Sequence, residues 1–163
     1  MKNLELNKLS LAASAAILLL AGVTAVLAVT LPQQRGQRYN LTFPDTAGGA
    51  DHHEWRILPA RDSLAERSRL VVEELLLGPV ELGAVPFIPE ETTLRSVVVD
   101  EKTMTLYLDF SPELVVGGST DAVAFEEAVE LIHYNLHRNL RRLNEIVVTV
   151  EGQLPGVPRF EGI

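Results

Sequence analysis

His133 and His137 stand four residues apart, so on a helix they share a face and offer two imidazoles to one metal ion. A zinc-protease helix also needs a glutamate directly after the first histidine, and here that position is Tyr134. No third ligand is placed by the sequence. Both residues lie beside an apolar stripe, which fits boundary or solvated histidines better than ligands. His52-His53, next to Asp51 and Glu54, falls in a turn-rich segment and reads as a solvated loop. Glu126, Glu127 and Glu130 offer carboxylates, but acids at the start of a helix are expected from its dipole alone. Asp109 precedes Ser111-Pro112 at a strand end, where its expected work is to bond backbone amides of the following turn. Ser119 lacks a Gly-x-Ser-x-Gly elbow and reads as a helix cap. Gly117-Gly118-Ser119-Thr120 at a helix start has the form of an anion site, with capping as the plainer reading. No catalytic residue, cofactor or metal ligand is assigned on these grounds.

The elements that would carry these residues follow from periodicity. Arg38 to Phe43 alternates, with Tyr39, Leu41 and Phe43 on one side, as in a half-buried strand. Trp55 and Ile57 make a second short strand paired with it. Ser63-x-x-Glu66 is a capping box opening a helix whose apolar face is Leu64, Val71, Val72, Leu75 and Leu76. Gly78-Pro79 ends it. Leu94 to Val99 and Thr103 to Phe110 read as strands around Asp100-Glu101-Lys102, with Met104, Leu106, Leu108 and Phe110 facing one way. Ser119 or Thr120 then caps a long helix with Phe125, Val129, Ile132, Leu136, Leu140 and Leu143 on its stripe. Ile146 to Val150 is the last strand. The long crossover from Phe110 through this helix places the last two strands parallel. The order β β α β β α β predicts an α/β (α+β) two-layer sandwich, one mixed sheet with two helices on one face.

Before that domain, Leu9 to Leu31 is a run of 23 residues without a charge. As a helix it reaches about 34 Å, enough for a hydrocarbon core of about 30 Å. It reads as a retained transmembrane helix. The alternative is a cleaved signal peptide, with Val23-Thr24-Ala25 or Val26-Leu27-Ala28 as weak cleavage sites. The expected organisation is a short N-terminal tail at 1–8, the span at 9–31, a linker at 32–37, the domain at 38–152 and a tail at 153–163. Lys2 and Lys8 precede the run, while Arg35 and Arg38 follow it. A short basic tail staying in the cytoplasm puts the domain outside, in a single-pass cell-membrane protein.

Without Lys2, Lys8 and Glu5, the remaining 131 residues carry 12 basic and 21 acidic side chains, a net of about −9. Such a domain repels a nucleic-acid duplex or an anionic lipid surface as a whole. Arg138, Arg141 and Arg142 cluster at a helix end, where cations complement the dipole. There is no cysteine, which excludes a lipid-modified cysteine, a disulfide framework and cysteine metal sites.

Val71-Val72-Glu73-Glu74-Leu75-Leu76-Leu77-Gly78-Pro79 and Phe87-Ile88-Pro89-Glu90 resemble the first half of a GerMN domain, the module of a spore-germination and sporulation protein. Leu106-Tyr107-Leu108-Asp109-Phe110-Ser111 and Gly117-Gly118-Ser119 resemble its second half. The resemblance covers about Arg38 to Gly152. It implies an envelope protein, since members are often lipoproteins or membrane-anchored, and the best-known one joins a sporulation complex spanning the intermembrane space. It implies no catalytic residue, because none is established for the domain. The chain departs in lacking a lipid-anchor cysteine and in carrying one copy where some members have two. Such domains also occur in bacteria that form no spores.

Two functions follow as expectations. One is a noncatalytic envelope module binding a protein partner or peptidoglycan. The other is an anchored cell-wall hydrolase with unplaced carboxylates. A flat sheet face with exposed apolar groups favours the first, and a convergent pair of buried acids in a deep cleft favours the second.

Overall fold

The computed structural model describes residues 36–116 and 124–155, together with helical residues 14, 16–24 and 26. The chain divides into two units, Met1–Arg35 and Gly36–Ile163. Among the described residues no helix is long and apolar enough to cross a membrane. Both ends of the Leu9–Leu31 run lie outside the described residues.

In the second unit, β1 (Gly36–Phe43) and β2 (His52–Pro59) form an antiparallel ribbon, running from Gly36 opposite Pro59 to Phe43 opposite His52. Tyr39, Leu41 and Phe43 are buried, and Asn40 and Thr42 on the other face are covered as well, so β1 is buried on both sides from Tyr39 onward. Helix α1 (Leu64–Leu76) starts at Ser63, whose Oγ accepts the Glu66 amide at 3.1 Å. The Glu66 carboxylate accepts the Ser63 hydroxyl at 3.0 Å, so the cap closes through the two side chains. Val71, Val72 and Leu75 are its buried face. Gly78, with φ of 76°, takes the left-handed turn that ends it.

β3 (Leu94–Asp100) pairs antiparallel with β4 (Thr105–Phe110), and β4 pairs parallel with β5 (Glu145–Val150). Between β4 and β5 lie the four-residue α2 (Glu113–Val116) and the long α3 (Phe125–Asn139). Leu106, Leu108 and Phe110 of β4 join Ile132 and Leu136 of α3 and the inner residues of β1 and α1 in one core. Helix α1 packs on β3, α3 packs on β1, and the two helices touch. This is an α+β architecture.

Four expectations are corrected. The strands form two sheets, β1-β2 and β3-β4-β5, in place of one mixed sheet. The reason lies on β1: the backbone groups of Asn40 and Thr42 that point away from β2 are bonded by asparagine side chains of α3, so no further strand pairs there. Met104 is not on the inward face of β4; it lies in the preceding turn with φ of 56°. Ala124 holds the N-cap position of α3 and makes no side-chain bond, which removes Ser119 and Thr120, outside the described residues, from that role. The helix also stops at Asn139, so Leu140 and Leu143 reach the core from the loop before β5.

Candidate functional site

β2 alternates between two environments. His53, Trp55 and Ile57 share a face with Arg38, Asn40 and Thr42 of β1, while Glu54, Arg56 and Leu58 turn inward with Tyr39 and Leu41. The inward charges meet α1. Arg56 donates to Oε2 of Glu54 at 2.8 Å and to Oε2 of Glu74 at 2.8 Å. It also donates to the carbonyls of Glu74 at 3.1 Å and Gly78 at 2.6 Å, and its guanidinium lies 5.6 Å from the Phe43 ring centre. Oε1 of Glu54 accepts the amides of Val80 at 2.7 Å and Glu81 at 2.8 Å.

Burial opposes the charge of Glu54, but the Glu81 amide, Arg56 and the Val80 amide outweigh it and hold its pKa below the ordinary carboxylate value. Arg56 is likewise held charged: burial opposes its charge, and Glu54 and Glu74 more than offset that. The knot therefore gathers two acids around one cation, and it pins the loop after α1 to the ribbon. Both oxygens of Glu54 and Oε2 of Glu74 accept from protein donors, so the knot has the form of a structural network and not of an acid–base pair.

His52 and His53 are not in a loop; both are in β2 and point to opposite faces. Nε2 of His52 lies 2.9 Å from Oδ1 of Asp45, and its Nδ1 lies 3.5 Å from Glu81. The bond from Asp45 raises the His52 pKa despite some desolvation, and Glu81 adds to it. The same bond, with the amides of Gly49 and Ala47, lowers that of Asp45. His53 instead bonds the hydroxyl of Thr42 at 2.9 Å. Adjacent in sequence, the two imidazoles cannot share a metal ion.

Asp109 does not serve the turn that follows it. Its Oδ1 accepts the Gly152 amide at 2.6 Å and the Thr149 hydroxyl at 2.9 Å, and its Oδ2 lies 3.4 Å from Arg95. It ties β4 to the chain leaving β5. Ser111 takes the neighbouring turn, accepting the Thr93 amide at 2.9 Å.

His133 lines a groove of about 320 Å³ with Phe125, Val129, Ile146, Val148 and Leu154. Its Nε2 is buried without a partner. Burial lowers its pKa, His137 lowers it further, and Glu130 opposes both. Among the described residues, His133 is the sole titratable side chain of that lining. Glu127 and Glu130 line a second hollow of about 390 Å³ with Asp51 and Tyr134, while Glu126 stays exposed in the first turn of α3. Among the described residues no group of three or more His, Asp or Glu is placed to hold a metal ion. Arg138 folds back onto Tyr134, donating to its hydroxyl at 2.7 Å. Ser119 and the Gly117–Thr120 segment lie outside the described residues.

Exposed apolar side chains occur on both sheets. Trp55 and Ile57 stand 61% and 72% exposed on the ribbon. Val98 and Tyr107, paired across β3 and β4, are also exposed. The sequence reading named Trp55 and Ile57 as a strand but not as a surface. The signal was available: their alternation with Glu54 and Arg56 puts one set out and the other in.

The family model Germane, described as sporulation and spore germination, matches residues 40–155, from within β1 to just past β5. The chain belongs to the Germane family. The chain is similar to the tandem GerMN domains of the sporulation protein GerM from Bacillus subtilis, at 17% identity and a TM-score of 0.49, covering 73% of this chain and 40% of that one. It thus spans less than half of that tandem structure. It is also similar to a candidate lipoprotein from Clostridium perfringens, at 20% identity and a TM-score of 0.41, covering 72% of this chain and 76% of that one. No curated protein matches. The Germane match takes in the Glu54–Arg56–Glu74 knot, the asparagine pair on α3 and the Asp109 clamp.

Proposed function

We propose that this Germane protein is a membrane-anchored, extracytoplasmic and noncatalytic module, which binds a protein partner or cell-wall component in an envelope or sporulation-type complex. The observation that carries the noncatalytic reading is the state of the two acids that converge. Glu54 and Glu74 meet at Arg56, and each is bonded to it. A hydrolase needs one carboxyl group held neutral beside another that stays ionised. The acids of the α3 hollow, Asp51, Glu127 and Glu130, are exposed. The anchor reading rests on the charge-free run Leu9–Leu31, whose described residues are helical and carry Ile17, Leu18, Leu19 and Leu20 exposed. Exposed apolar groups on both sheets suit a binding role.

The test is complementation of a deletion strain with alanine variants at His133, His137, Asp109, Glu126 and Ser119, each checked for abundance. Function should persist wherever the variant accumulates. Loss of function in one of them, with fold, abundance and partner capture unchanged, would make the cell-wall hydrolase the better reading. Alkaline extraction should leave the full-length chain in the membrane pellet, and a mature N-terminus at Val26 or Val29 would remove the anchor. Proximity labelling in intact cells would identify the partner.

A further inference from the structure

We infer that the open end of the β1–β2 ribbon lies in the headgroup layer of the membrane, with Trp55, Ile57 and Arg38 as its contact. The inference rests on the anchor reading above. β1 begins at Gly36, five residues after Leu31 closes the apolar run. Five residues reach at most about 18 Å even when fully extended. The ribbon end formed by Gly36 and Pro59 is therefore held near the bilayer by covalent reach alone.

What that end presents suits the layer. Arg38 is opposite Ile57, Trp55 is opposite Asn40 two positions further on, and all three side chains share the outer face. Trp55 and Ile57 are mostly exposed, and the Arg38 guanidinium stands 5.3 Å from the Trp55 ring. An indole with an apolar body and one N–H donor is the side chain favoured at the membrane–water boundary, and arginine beside it meets lipid phosphate. The charge is also local. Arg35 just precedes the ribbon, Arg38 is in it, and Arg61 lies two residues beyond Pro59, against one acid, Asp62. A domain with a net of about −9 thus puts a basic, aromatic end where its tether leads. Seated this way, the domain would take a fixed orientation, leaving the outer face of β3-β4-β5 free for partners.

Trp55 is the only tryptophan of the chain, so its fluorescence reports this contact directly. The experiment uses the full-length protein reconstituted in vesicles of equal parts phosphatidylcholine and phosphatidylglycerol, with and without lipids brominated high on the acyl chain. Vesicle flotation after alkaline washing is measured on the same samples. Flotation together with quenching of Trp55 by brominated lipid supports the contact. Arg38→Glu and Ile57→Ser should then lose quenching at an unchanged Tm. Flotation without quenching overturns the contact and leaves the anchor standing. Loss of the protein from washed vesicles overturns the anchor and the contact with it. Trp55 shielded in cells by a crosslinked protein, but unquenched by lipid, overturns the contact in favour of a protein partner.

Discussion

Asn135 on α3 and Thr42 on β1 bond each other as two strands would. Oδ1 of Asn135 accepts the Thr42 amide at 2.7 Å, and its Nδ2 donates to the Thr42 carbonyl at 3.0 Å. One turn on, Asn139 repeats the pattern with Asn40 at 2.8 Å in both directions. A helix thereby closes a strand edge that would otherwise hold unpaired groups.

Asn135→Ala should therefore cost about 2–6 kcal/mol, because two buried backbone groups lose partners at about 1–3 kcal/mol each. Asn139→Ala should cost less, since that residue is only partly buried. Urea denaturation of the full-length chain measures both. A loss of about 0.5 kcal/mol or less for Asn135→Ala, the level of ordinary surface changes, would mean that water replaces the amide. The double variant should also associate through the opened edge, visible by sedimentation.

These asparagines show where sequence reading stopped. Leu106, Leu108 and Phe110 alternate, and the Ser63–Glu66 cap declares itself by spacing, so most elements were legible. Asn135 is fully buried, yet in the sequence it is one more polar residue on an amphipathic helix. Only its partner, 93 residues earlier, explains it. The split into two sheets was hidden for the same reason. Glu54 and Arg56 carry no sequence signal of their knot, because the acid that completes it, Glu74, lies on another element. Asp109 was read toward its nearest turn, while its partners come from β5 and beyond.

On α3 the inward face can be tested directly. Ile132 is fully buried and Glu127 is exposed. Ile132→Asp puts an unpaired carboxylate in the core and should cost several kcal/mol, enough to unfold most of a domain whose stability is about 5–15 kcal/mol. Glu127→Ala should change stability by about 0.5 kcal/mol or less. Comparable melting temperatures for the two would show that the helix face is wrongly placed.

Arg56→Met tests the knot. Removing the cation leaves Glu54 and Glu74 without their partner, and breaking a buried pair in this way costs about 3–5 kcal/mol. The pH dependence should change as well. In the native protein the Glu54 pKa is lowered, so its contribution is present above the ordinary glutamate value and is lost as pH falls through the folded value. In Arg56→Met that stabilising charge pair is gone, and mild acid should become less harmful or even stabilising. Parallel denaturation curves at several pH values decide this; an unchanged acid limb in the variant would refute the assignment.

The two perturbed histidines should act in opposite directions. His52 has a raised pKa, caused first by its bond to Asp45. Its stabilisation is complete below the ordinary histidine value and is lost as pH rises through the folded value. His133 has a lowered pKa, caused first by burial. Its contribution is present above the ordinary value and is lost as pH falls through the folded value, because the unfolded chain takes up a proton that the groove refuses. Between these limits the domain should be most stable near neutrality, with His133→Gln flattening the acid side and His52→Gln the alkaline side. Ring-proton NMR titration reads each pKa separately. A His133 that titrates above the ordinary histidine value would reverse the sign of its own argument, since the buried ring would then have to be held protonated by Glu130 against its own desolvation, and a His52 that titrates below that value would reverse the other.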